Sequence, residues 1–162
     1  MTETTPYLEI HEGSSGPATT ACPARIGLAD GRLLDAELFL LSDPMRPGGV
    51  VSVEATLDGE REFIPVRFGA RSALLRRDAV RTVELAPDAP GTDGFAELSG
   101  SLDVVNLHFD SGDAVSGVLL FPAPAEAMRM SDVFNRPGRF LTLSTGETLL
   151  LVAKAHLVEV SF

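Results

Sequence analysis

Lysine is almost missing from this chain. Lys154 stands alone beside twelve arginines, and the 162 residues hold no tryptophan, one tyrosine and one cysteine. A single cysteine, Cys22, excludes an internal disulfide and a thiolate metal cluster, which makes a reducing compartment the expectation. No apolar run approaches the ~20 residues of a membrane helix. Residues 1–22 lack the basic start and continuous apolar stretch of a secretory signal. A cytoplasmic location without membrane attachment follows as the expectation. Positive charge is scarce: the formal net charge is −10. That disfavours nucleic acid as a general partner, because such affinity comes from Lys and Arg displacing counterions from phosphates. No Gly-rich phosphate loop, CxxC pair, HExxH or GxSxG occurs. The chain is expected to be non-enzymatic and to carry no cofactor.

What is present is a good supply of core. Apolar residues make up 44% of the chain, in the range of a soluble globular protein. The preference for Arg over Lys, with abundant Ala, Gly and Pro, is the composition expected from a GC-rich bacterial genome. Residues 1–22, rich in Thr, Ser, Gly and Pro, read as a flexible tail. Within it "YLEIH" at 7–11 offers an alternative, a short strand docked on a sheet edge. Residues 86–101, "APDAPGTDGFAELSGS", read as a linker.

The segments on either side repeat one another. "IGLADGRLLDAELFLL" at 26–41 aligns without a gap on "LHFDSGDAVSGVLLFP" at 107–122, an offset of 81. "FIPVRFGARSALLRRDAVRTVEL" from Phe63 aligns on "FLTLSTGETLLLVAKAHLVEVSF" from Phe140, an offset of 77. Duplication followed by a change in loop length produces two such offsets. Within each unit the apolar pattern predicts a meander of short strands. Val105, Leu107 and Phe109 should face one side and Asn106, His108 and Asp110 the other. "LADGR" and "SGD" supply turns, Asp-Gly being a strong hairpin signal. Final hairpins are predicted at "RSALLRRDAVR" and around Lys154 and Ala155. Helix signals are weak, and "PAEAMRMSDVFN" is permissive for a turn or two.

Five short strands bury both faces poorly unless they curl or pack on a twin. The predicted fold is all-β: two tandem, duplicated small barrel-like units at 23–85 and 102–162, packed as a pseudo-symmetric pair. An Asp/Ser-Gly hairpin after the first strand, a bent second strand and a closing pair on a tight turn resemble the Sm-like and SH3-like small β-barrels. The chain also resembles small bacterial proteins of no assigned activity with an R-x-S-D-x-x-N stretch, here Arg129, Ser131, Asp132 and Asn135. The Sm resemblance implies RNA or nucleotide binding as one alternative function, through the arginine-rich face of the first unit. The uracil-stacking aromatic and charged loop residues of Sm proteins have no identifiable match.

Candidate site residues are few. In "RMSDVFNRPGRF" (129–140), Met130, Phe134 and Phe140 align with apolar residues of the first unit and should be core. Arg129, Ser131 and Asp132 have no counterparts, and Asn135 should begin a turn. These four could form a partner-binding loop, or Ser131 or Asp132 could cap a short turn. Arg76 and Arg77 are expected at a hairpin tip, as a solvated turn or an acidic-partner surface. The residues after Arg77 lack the D/N-x-S-x-x-G that a cyclic-dinucleotide-binding PilZ domain would need. His108, His156 and Asp110 on neighbouring strands form a metal or small-molecule alternative. The leading expectation is a protein-interaction module, an adaptor, regulator or assembly component, that binds protein partners or itself through sheet edges and the 122–139 loop.

Overall fold

The structure, a computed structural model, describes residues 18–121 and 129–162. Most of the expected tail, its "YLEIH" segment and the start of the 122–139 loop lie outside the described residues. In chain order the elements are β1 (Thr19–Leu28), β2 (Leu33–Leu41), α1 (Val53–Asp58), β3 (Phe63–Phe68), β4 (Arg71–Arg76) and β5 (Val80–Leu85). They continue with β6 (Ser99–Phe109), β7 (Ala114–Phe121), α2 (Met130–Phe134), β8 (Phe140–Ser144), β9 (Leu149–Ala153) and β10 (Leu157–Ser161). Short 3-10 turns span Arg77–Ala79, Asp93–Glu97 and Lys154–His156.

The protein is all-β: ten antiparallel strands form one sheet in the order β10-β6-β7-β8-β9-β5-β1-β2-β3-β4. The sheet is not closed. In place of two separate barrels, the pairing of β5 with β9, Thr82 opposite Val152 through Leu85 opposite Leu149, runs one set of strands into the other. Within each half the pairing follows the same order: β1-β2-β3-β4 with β5 on β1, and β6-β7-β8-β9 with β10 on β6.

Period-two patterning explains the inner faces. Val105, Leu107 and Phe109 are buried on one side of β6, as the alternation requires, and Asp110 is exposed. Gly31 and Gly112 take φ of 90° in the turns after β1 and β6, a conformation that glycine adopts without a Cβ clash. In the first of these turns Asp30 accepts the Arg32 backbone N–H at 3.1 Å and its guanidinium at 2.7 Å. Those bonds hold the Asp30 carboxyl below the usual aspartate range.

Neither predicted final hairpin forms. β4 does not pair with β5, nor β9 with β10. The 3-10 turn carries the chain across instead of back, and hydrogen bonds at both its ends fix the crossing. Arg77 N–H donates to the Glu62 carbonyl at 2.8 Å, and Lys154 N–H to the Arg139 carbonyl at 2.9 Å. Beyond each turn, Ala29 N–H donates to Ala79 O at 2.8 Å and Asp110 N–H to His156 O at 2.9 Å.

Helix α1 is set locally. The Ser52 hydroxyl accepts Ala55 N–H at 3.1 Å, satisfying one of the first-turn donors. Val53 and Leu57, four apart, then share the buried face.

The apolar residues gather in two clusters. One joins the inner faces of β1, β2, β3 and β5 and the buried face of α1 to Phe140, Leu149, Leu151 and Ala153 from β8 and β9. The other holds the inner face of the second half, including Leu141, Leu143, Leu150 and Val152. β9 is therefore buried on both faces, and every one of its residues is buried. A continuous "LLLVA" is what a strand between two cores requires.

β1 begins at Thr19, so the last residues assigned to the tail are strand. The 86–101 segment is no loose spacer, because Ala89, Thr92 and Phe95 are buried. The Thr92 hydroxyl bonds the Ala89 carbonyl at 2.6 Å. Gly91, with φ of 78°, lies so close to β2 and α1 that a Cβ would stand 2.6 Å from Leu40 Cδ1 and 3.1 Å from Val53 Cγ2.

Candidate functional site

The arginines separate by their surroundings. Arg76 is exposed and ion-pairs with Glu62 at 2.9 Å. Arg77, expected at a solvated tip, is buried. Its Nε donates to the Arg61 carbonyl at 2.6 Å and its Nη1 to the Thr56 carbonyl at 3.1 Å, so it ties down the C-terminal end of α1. Burial, with the nearby Arg139 guanidinium, draws its pKa below the usual arginine range. At the 77-residue offset stands Lys154, whose Nζ donates to the Arg136 carbonyl at 2.5 Å and the Phe134 carbonyl at 3.4 Å. A cation facing the open carbonyls of a helix end is favourable on hydrogen-bonding and dipole grounds alike. The one lysine of the chain and the buried arginine thus hold matching corners.

The stretch 129–140 is also largely a corner. Asp132 Oδ2 accepts Arg129 N–H at 3.1 Å at the start of α2. The Ser131 carbonyl accepts both the Asn135 backbone N–H at 3.0 Å and its Nδ2 at 2.8 Å, so Asn135 ends the helix rather than reaching outward. Val133 is buried, while Met130 and Phe134 are partly buried against the second cluster. Arg139 joins the halves: its N–H donates to Asp58 Oδ1 at 2.8 Å and its guanidinium meets Asp78 at 3.3 Å. Arg129, Ser131 and Asp132 are exposed, on a different element from Arg76 and Arg77.

His156 does approach Asp110, Nδ1 lying 3.5 Å from Oδ2. Its Nε2 is 2.7 Å from the Asp78 carbonyl of the other half. His108 sits on β6 opposite Glu159. Among the described residues no group of three or more His, Cys, Asp or Glu side chains could hold a metal ion.

The surface that sequence reasoning missed is apolar. β2 and β3 pair only through Glu37 opposite Arg67 and Leu38 opposite Val66, and the next residue of β3 toward its start is Pro65, which has no N–H to give a ladder. From there the strands diverge and α1 lies alongside. Phe39, Leu41, Val51, Phe63 and Pro65 line the resulting groove of about 520 Å³, with Arg61 at its rim. Leu41 and Phe63 are exposed, as is Leu74, paired with Pro65 from β4. Arg67 packs over the Phe39 ring at 5.8 Å and pairs with Glu37.

A larger open groove of about 810 Å³ runs along β1 and β2. It is lined by charges that include the Arg25–Asp35 and Arg67–Glu37 pairs. The signal that could have located the apolar face is the alignment at the 77-residue offset. Phe63 and Leu74 align with Phe140 and Leu151, and those two lie in the shared core. Comparison with protein-family models, curated proteins and solved structures finds no match to this chain.

Proposed function

We propose that this is a non-enzymatic, bacterial, cytoplasmic interaction module, an adaptor or assembly component built from two tandem Sm-like or SH3-like β-units that arose by duplication. The duplication is supported by element boundaries. α1 and α2 both begin at the 77-residue offset, as do β3 and β8 and the 3-10 turns at Arg77 and Lys154; β2 and β7 begin at the 81-residue offset. The interaction role is carried by one observation: the face formed by Phe39, Leu41, Phe63, Pro65 and Leu74 is open, while Leu120, Phe140 and Leu151, the counterparts of Phe39, Phe63 and Leu74, pack in the cluster shared with the first half. Clustered exposed apolar side chains mark a surface that meets a partner. The basic residues favour nucleic acid less, since Arg67 and Arg76 are paired with Glu37 and Glu62.

The test is affinity capture from the native cell with wild type, Phe63→Asp and the Arg129→Ala/Asp132→Ala pair. Loss of specific partners with Phe63→Asp alone supports the apolar face. Loss with the 129/132 pair alone moves the site to α2. Salt-dependent RNA binding abolished by Arg76→Ala would replace the proposal with the nucleic-acid alternative.

A further inference from the structure

The sheet ends at β4 and β10, and among the described residues β4 pairs only with β3 and β10 only with β6. At the 77-residue offset β4 corresponds to β9, and β10 to β5. Those two counterparts pair with each other inside the chain. The molecule therefore contains one joined copy of an interface whose two halves it also presents, unjoined, at its ends. We propose that β4 of one copy pairs antiparallel with β10 of another, so that the chain self-associates head to tail.

Side-chain exposure at the matching positions carries the argument. Leu74 is 66% exposed and its counterpart Leu151 is 0%; Phe63 is 45% exposed and Phe140 is 5%. On the other edge, Phe162 is 74% exposed where Leu85 is 1%. Val160 is only partly buried where Val83 is fully buried. Each exposed residue stands where its counterpart is covered by the neighbouring half.

Carrying over the register of β5 and β9 sets Glu159 opposite Leu75, Val160 opposite Leu74 and Phe162 opposite Ser72. In that register the exposed Leu74 and Phe162 fall on one face of the new pair, together with the half-buried Val160. The charge of Arg76 is already met by Glu62, so it does not guard the edge as an unpaired charge would. Because the two surfaces differ, the contact is heterologous. It repeats until a ring closes or a filament grows. This inference rests on the interaction reading above and names a second copy as the occupant.

The experiment uses the full chain and two variants at exposed positions, Leu74→Arg to block β4 and Val158→Arg to put a bulky charge on the open edge of β10. Sedimentation velocity from low micromolar upward should show wild type associating and each variant alone remaining monomeric. An equimolar mixture should then give a species of twice the chain mass, because one variant keeps an intact β10 edge and the other an intact β4 edge. The same species shows that both variants are folded. Wild type monomeric throughout, a variant that associates alone, or a mixture that stays monomeric each overturns the proposal. Capture of other proteins through Phe63 by a strictly monomeric wild type would remove self-pairing and leave the interaction role standing; loss of both removes the two together.

Discussion

Leu151 and Leu74 make a controlled pair: the same residue at matching positions, one buried in the junction of β9 with β5, the other exposed on the outer edge of β4. Leu151 is fully buried in the cluster that joins the halves. Truncation to Ala removes its transfer free energy and leaves a cavity that strands on both sides keep from collapsing, a cost of about 2–5 kcal/mol. Leu74 keeps about a third of its surface covered, so truncation forfeits roughly a third of the 1.5–3 kcal/mol for burying a leucine, about 0.5–1 kcal/mol. Urea unfolding of both variants at one matched concentration measures the two losses on one scale. Losses equal within error would refute the reading that the neighbouring half covers Leu151 and nothing covers Leu74.

Three further outcomes follow from particular contacts. Arg77→Met leaves the Thr56 and Arg61 carbonyls without their buried donor and should cost about 1–3 kcal/mol, whereas Arg76→Met should stay within about 0.5 kcal/mol, by the same urea assay. Gly91→Ala sets a Cβ against Leu40 at a positive φ and should cost about 2–4 kcal/mol, read as a fall in melting temperature. Burial, then the carboxylate of Asp58, raises the Glu54 pKa, so the folded chain binds more protons than the unfolded one between the ordinary glutamate range and the raised value. Stability falls as pH rises through that window. Glu54→Gln should therefore raise the urea midpoint at pH 7, with the gain vanishing as pH drops below the ordinary glutamate range.

The short-range order of this fold was legible in its residues. Period-two alternation placed Val105, Leu107 and Phe109 inside, and Asp-Gly and Ser-Gly marked the first turn of each half. The pairing partners beyond those hairpins were not. "RSALLR" and "RTVEL" look like adjacent strands, and only the hydrogen bonds from Arg77 to Glu62 and from Ala29 to Ala79 send the second across the sheet. Those acceptors lie 15 and 50 residues from their donors, beyond the reach of a local pattern. The same distance hid Arg77, whose partners at Thr56 and Arg61 belong to another element. The all-apolar character of "LLLVA" was visible, but its cause, a core on each face, depends on a strand that the chain has laid down long before.

That order of synthesis has a consequence for the cell. β5 leaves the ribosome well before β9, the strand that pairs with it and helps close its core. At roughly 5–20 residues per second, Leu151 follows Leu85 by about 3–13 s. During that interval the nascent first half presents Val83 and Leu85 beside an unpaired strand, a target for chaperones or for the wrong strand of a neighbouring polysome. Translation speed through β6, β7 and β8 thus sets how long the seam stays open.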